Sequence, residues 1–247
     1  FRKKEFNNDS LYDGYWGIWD EPFFQYMKSE IDHFNEPFFT TLFSLSSHEP
    51  FNVPKNYQNF FPKGNVDMHE VIGYSDNALK KFFNSAKKQE WFKNTLFVIT
   101  SDHCNQFWYP YYRAPINRFA VPILFYHPNN TLNGTDNSLA QQLDIFPSII
   151  DYIGYEKPIK SWGRSLFSEN SGIPFSIHFS GTVYRFSMNN FTIVFDGKKT
   201  IGVYSIDDLD LNINLINDNK LDYSFEERYL KSFIQDYMQR IIDKNLE

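Results

Sequence analysis

Two places in the chain carry residue types that can do chemistry. In "TLFVITSDHCNQ", residues 95–106, an unbroken apolar run ends on Asp102 and His103, followed by Cys104, the only cysteine. An anionic oxygen beside an imidazole nitrogen is a donor set suited to Zn²⁺ or Mn²⁺ and less so to Ca²⁺. A site needs three or four ligands, so a metal reading requires others from elsewhere. The residues alone leave a second reading open, in which Asp102 caps the following turn and His103 is a hydrogen-bonded loop residue. The second place is "SSHEPF", where His48 follows a β-prone run; its plain alternative is a turn histidine. Cys104 has no Cys-His-Asn order or nucleophile elbow around it and reads as a spectator.

Both places lie at the ends of predicted strands. The residues from Phe38 to Leu45 read as a strand running into a loop, and "NTLFVIT" as a strand apolar on both faces, as in a parallel sheet covered by helices. Between them, Val71, Leu79, Phe82 and Ala86 repeat at helical spacing. "FAVPILFY" reads as a further strand, placed near an edge or bulge by Pro122. Asp20 and Asp144 each precede a helical pattern and read as helix caps; the second helix buries Ile149, Ile150 and Ile153 and stops at Gly154. Loops at the carboxyl ends of strands in such sheets can converge without belonging to the core, which is where Asp102, His103 and His48 fall. From Ile173 the texture changes to short β runs separated by "MNN" and "DGKK", then a helix opening on a capping box from Ser224 to Glu227. The expected architecture is α/β, an open, mostly parallel sheet flanked by helices over residues 1–172, with a small antiparallel β region and a terminal helix over 173–247.

Composition narrows the function. The 247 residues hold 24 Lys and Arg against 30 Asp and Glu, giving a formal charge of −6 with no basic cluster, so nucleic acid is not an expected partner. Aromatics make up 19% and are spread along the chain, as core and strand formers are. One cysteine excludes an internal disulfide framework. No apolar run reaches the roughly 20 residues that span a bilayer. The chain lacks G-x-S-x-G, P-loop, G-x-G-x-x-G and H-E-x-x-H motifs, which removes the usual serine hydrolase, NTPase, dinucleotide and zincin readings.

Taken in order, "WGIWDEPFF", "FFTTLFSLSSHEPF", "YSDNALKKFF", "WFKNTLFVITSDH", "RFAVPILFY", "LDIFPSIIDYIG" and "GRSLF" resemble successive blocks of the alkaline phosphatase and sulfatase superfamily, most closely its lipoteichoic acid synthase-like phosphoglycerol transferases. The resemblance implies that Asp102 and His103 are two ligands of a catalytic divalent metal, Mn²⁺ or Zn²⁺ (Ca²⁺ for a sulfatase), and that His48 contacts the substrate phosphate. The family's nucleophilic Thr or Ser and an acidic ligand precede the "WGxxD" block. The chain therefore resembles the C-terminal portion of such a catalytic domain, its nucleophile and remaining N-terminal part lying outside it. A phospholipid headgroup or another phosphate or sulfate ester is the implied substrate, and an extracytoplasmic setting with an upstream membrane anchor the implied location. Association into oligomers is expected of a sheet with an open edge. Two other functions are carried as alternatives: a sulfatase of the same fold, and a non-catalytic binding or structural module.

Overall fold

The computed structural model describes residues 3–129 and 132–245. The chain divides into two compact units, one comprising the chain up to Val98 with Leu124–Leu132, the other Ile99–Ile123 with the chain from Asn133 on.

In the first unit a short helical turn, α1 (Lys3–Phe6), precedes α2 (Asp20–Ile31) and α3 (Met68–Ala86). The helical spacing predicted for α3 is present, with Val71, Phe82 and Ala86 buried as expected; Leu79 is only half-buried, and Tyr74 and Ala78 complete the stripe. Alanines at 78 and 86 leave room for Phe24 and Ile31 of α2 to pack in the same cluster, joined by Trp91 and Phe92. Burial of a phenylalanine such as Phe82 contributes about 2 to 3 kcal/mol, so this aromatic cluster is the unit's main source of stability.

Strand β1 (Phe97–Thr100) pairs with β2 (Ile123–Tyr126) in a two-stranded sheet. A short helix, α4 (Pro110–Arg113), lies between them in sequence. Pairing in β2 starts just after Pro122, which has no N–H to give to a ladder. The Phe97 and Tyr126 rings meet at a tilt, centroids 6.0 Å apart, and pack on the α2–α3 cluster, tying the strand pair to it.

The predicted strand from Phe38 to Leu45 does not form: no residue of this run lies in a ladder among the described residues. β-propensity reports fit to a pleated neighbour rather than an intrinsic backbone preference. Here the end of the run is held by a carboxyl group instead, and Phe39 and Phe43 are exposed.

In the second unit, α5 (Ile145–Tyr152) takes Pro147 in its first turn and ends at Gly154, whose φ of 72° lies in the left-handed region. It buries Pro147 and Ser148, whereas Ile153, expected inside, is 62% exposed. The predicted meander is present as an antiparallel sheet, β3 (Phe175–Phe179), β4 (Tyr184–Met188), β5 (Phe191–Phe195) and β6 (Thr200–Ser205), paired in chain order. Phe175, Phe186, Met188, Ile193 and Phe195 cluster with Leu230 of the terminal helix α6 (Ser224–Ile242). The capping box expected at Ser224 is not made: Ser224 N–H donates to Asp222, and Glu227 accepts from Thr200 and pairs with Lys231. A carboxylate that can reach a strand need not turn back on its own helix.

Across the sheet, His178 of β3 stands opposite Arg185 of β4. Burial, with Arg185 beside it, pulls the His178 imidazole down from 6.5 to about 4. Between these values the unfolded chain binds a proton that the native state does not, so stability falls as pH is lowered from 6.5 toward 4. At about 1.4 kcal/mol per pH unit, the loss reaches roughly 3 kcal/mol. Urea unfolding at pH 7 and pH 4.5 measures it, and His178→Gln flattens the difference by that amount.

Candidate active site

The chain leaves β1 at Thr100 and reaches Asp102 and His103 two and three residues later, at a strand's carboxyl end as predicted. Asp102 accepts the His103 N–H on Oδ1 at 2.9 Å, and its Oδ2 lies 3.4 Å from His103 Nε2. His103 Nδ1 lies 2.9 Å from the Cys104 carbonyl. A carbonyl can only accept, so the proton sits on Nδ1 and the lone pair of Nε2 is left beside Asp102 Oδ2. Both side chains are more than half exposed. The carboxyl oxygen and the imidazole nitrogen thus face one point open to solvent, which fits two positions of a divalent ion's shell. Among the described residues no group of three or more His, Cys, Asp or Glu converges, so this pair supplies part of a shell and not all of it. Cys104 donates to the Ala120 carbonyl at 2.5 Å, and burial pushes its thiol up, which keeps it protonated and unreactive.

What holds this loop comes from 40 residues further on. The Gln142 amide donates to the carbonyls of Ser101 at 2.6 Å and Asp102 at 3.0 Å. The turn that carries Gln142 is closed by Asp144, which stands at the N-cap position of α5 without a side-chain bond to that helix and instead completes a capping box with Gln141. Asp144 is 2% exposed and accepts the Gln141 N–H and the Arg164 N–H, each at 2.9 Å. Burial pushes its carboxyl up, opposed by the two backbone donors and by Arg164. Gly163 permits the approach, because a Cβ there would stand 2.1 Å from the Leu143 carbonyl oxygen. Ser148 completes the joint, donating to the Asp144 carbonyl at 2.6 Å and accepting the Leu166 N–H at 2.9 Å. The "LDIFPS" and "GRSLF" segments therefore form one clamp whose outer end, Gln142, orients the Asp102–His103 loop.

His48 lies in the other unit, in a loop built to similar logic. Asp20, also 2% exposed, is not the cap of α2: the N-cap is Trp19, and the Asp20 carboxyl accepts the N–H groups of Leu45 and Ser46 at 3.1 Å and the Ser75 hydroxyl at 2.8 Å. Ser46 Oγ accepts the Asp20 N–H at 2.9 Å, closing the link. Two residues on, the His48 ring packs against Trp16 at a tilt, with centroids 3.9 Å apart. Trp16 Nε1 donates to the Glu49 carbonyl at 2.7 Å, and His48 Nδ1 lies 3.2 Å from the same oxygen. His48 Nδ1 therefore carries a proton, and the exposed ring offers Nε2 outward. Trp16 is itself aimed by Asp13, whose Oδ1 accepts the N–H groups of Tyr15, Trp16 and Gly17.

Comparison with known proteins decides the family. The sulfatase family model matches residues 2–155, more than half of the chain. The chain belongs to the sulfatase family. Lipoteichoic acid synthase 1 of Bacillus subtilis is 23% identical to this sulfatase-family chain over 174 residues, 62% of the chain, and lipoteichoic acid synthase of Staphylococcus aureus is 25% identical over 203 residues, 70% of the chain. A crystal structure of an alkaline phosphatase superfamily protein from Vibrio parahaemolyticus superposes over 81% of the chain with a TM-score of 0.67 at 23% identity. The fold is thus alkaline phosphatase-like, as the ordered sequence blocks implied. The chain spans 27% and 31% of the lengths of the two synthases and half that of the Vibrio protein.

Trp16 and Gln142 were not singled out in the sequence. An aromatic or an amide carries no motif of its own, and each acts on a loop 32 to 41 residues away. Asp20 was noticed for the wrong reason, since an aspartate that caps a helix and one that pins a remote loop occupy the same place before a helical pattern; Asp144 does stand at the cap, and what the sequence missed is its second partner, Arg164.

Proposed function

We propose that this sulfatase-family protein is a metal-dependent phosphate ester transferase or hydrolase that moves phosphoglycerol from a lipid headgroup, in an extracytoplasmic setting. The observation that carries the reading is the Asp102–His103 pair, with a carboxyl oxygen and an imidazole lone pair facing one solvent-open point at a strand's carboxyl end. Similarity to two lipoteichoic acid synthases supports phosphoglycerol as the group moved.

A divalent ion held there by Asp102 and His103 would polarise a phosphoryl oxygen and lower the pKa of a nucleophilic hydroxyl. Asp102 and His103 bind and orient; Gln142 and the Asp144 clamp keep their loop from shifting as charge builds on the phosphoryl group. His48, whose Nδ1 proton is held by the Glu49 carbonyl, is the contact to the substrate phosphate that the family resemblance implies. Trp16 and the Glu49 carbonyl fix the tilt of that ring and hold its Nδ1 proton, which makes Trp16 a positioning residue.

Turnover of an aryl phosphate and of phosphatidylglycerol by the full-length enzyme, set against an aryl sulfate at equal concentration, tests the reading. The expected result is a preference for the phosphate esters of at least about 100-fold in kcat/KM, on the order of 3 kcal/mol of transition-state discrimination. The opposite order assigns the protein to the sulfatases proper, and no turnover of any ester leaves a non-catalytic module.

A further inference from the structure

The antiparallel sheet of the second unit has one apolar face, packed on α6, and one polar face. On the polar face His178 and Arg185 are directly paired across β3 and β4, and Ser187 and Thr192 share a hydrogen bond of 2.9 Å. The His178 ring packs on Phe119 with centroids 4.6 Å apart. Arg118, the residue before Phe119, lays its guanidinium over the Phe107 ring at 4.7 Å. Two nitrogens of this cluster are buried with no hydrogen-bond partner, Arg185 Nε and His178 Nε2. No acidic group forms an ion pair with Arg118 or Arg185 among the described residues, although the chain carries six more acids than bases.

Buried donors are almost always satisfied, and a partly buried guanidinium without a counter-charge is costly. A water molecule would answer the orphaned nitrogens but not the charge. An anion answers both. The donors it would meet come from three segments: the turn at Asn117–Phe119, β3 and β4. A planar carboxylate presents oxygens in one plane, whereas a tetrahedral oxyanion presents them in several directions at once.

We propose that Arg118, His178 and Arg185 form a binding site for a tetrahedral oxyanion, a free phosphate or the phosphate group of a monoester. Electrostatics supports the geometry. Burial, and then Arg118, push the Arg185 guanidinium down, and burial, and then Arg185, push His178 down; no negative group offsets these effects. The inference does not depend on the reaction proposed above, because none of the three residues belongs to the Asp102–His103 pair or to the His48 loop.

Calorimetric titration of the metal-free protein with inorganic phosphate is the test, run with chelator present so that no ion at Asp102 and His103 can take up the ligand. Saturable binding is expected, weakened at least about tenfold in Arg185→Met and in Arg118→Gln, each of which removes one charge-assisted contact. Arg118 is exposed, so its variant folds even where Arg185→Met does not, and it carries the test alone in that case. Titration with glycerol phosphate separates the sources: tighter binding than inorganic phosphate assigns the site to an ester, weaker binding to the free ion. Absence of phosphate binding by the unaltered protein, or affinity in both variants equal to that of the unaltered protein, overturns the proposal.

Discussion

In the full-length enzyme, alanine at Asp102 or at His103 is expected to lower metal-dependent ester turnover by at least about a thousandfold, on the order of 4 kcal/mol of transition-state stabilisation, while leaving the fold intact. The two effects separate because of where the side chains stand. Both are more than half exposed, and neither belongs to a core cluster, so truncating them leaves no cavity and changes stability by no more than about 0.5 kcal/mol. The loop itself is held through the backbone carbonyls of Ser101 and Asp102, which survive the substitutions. Kinetics on the two variants at fixed Mn²⁺, alongside thermal melts, checks both halves. Cys104→Ser is the internal control. Its thiol contacts a carbonyl and nothing in the pair, so activity within about twofold of the parent is expected there.

Asp20→Ala carries the largest expected cost in stability. It strips the partner from two backbone N–H groups and a hydroxyl at a site that is 2% exposed, where water cannot replace it. Leaving buried donors unpaired costs about 1 to 3 kcal/mol each, and some relaxation is expected, so a loss of about 4 kcal/mol follows. For a chain of this size that lowers Tm by roughly 8 to 16 °C. Asp20→Asn distinguishes hydrogen bonding from simple loss of volume. Its amide oxygen still accepts from Leu45 and Ser46, and its NH₂ can donate to Ser75, so it restores all but about 1 kcal/mol. Because the same carboxyl anchors the residues leading to His48, Asp20→Ala should also depress turnover in protein that remains folded.

These predictions mark what the sequence made legible. The α3 stripe and the β3 to β6 meander could be read directly, because their periods are local and their partners lie a few residues away. Asp102, His103 and His48 could be picked out as polar residues ending apolar runs. The run from Phe38 to Leu45 carried the same β signal as β1 but found no ladder, since pairing depends on a neighbour that composition does not reveal. The supports of the site were least legible. Asp20 reaches 25 residues forward to Leu45, Asp144 reaches 20 to Arg164, and both looked like caps because a cap is the only partner visible at short range. The pairing of His178 with Arg185 was not legible either, because it appears only once β3 and β4 are in register.

The central claim is that Asp102 and His103 bind a divalent ion used to move a phosphate ester. Release of diacylglycerol from phosphatidylglycerol vesicles by the native protein, before and after chelation, tests it most directly. The account predicts release that stops with EDTA, returns when Mn²⁺ or Zn²⁺ is restored, and fails to return in Asp102→Ala. Release that continues unchanged in EDTA, or that Mn²⁺ restores equally in Asp102→Ala, would contradict it.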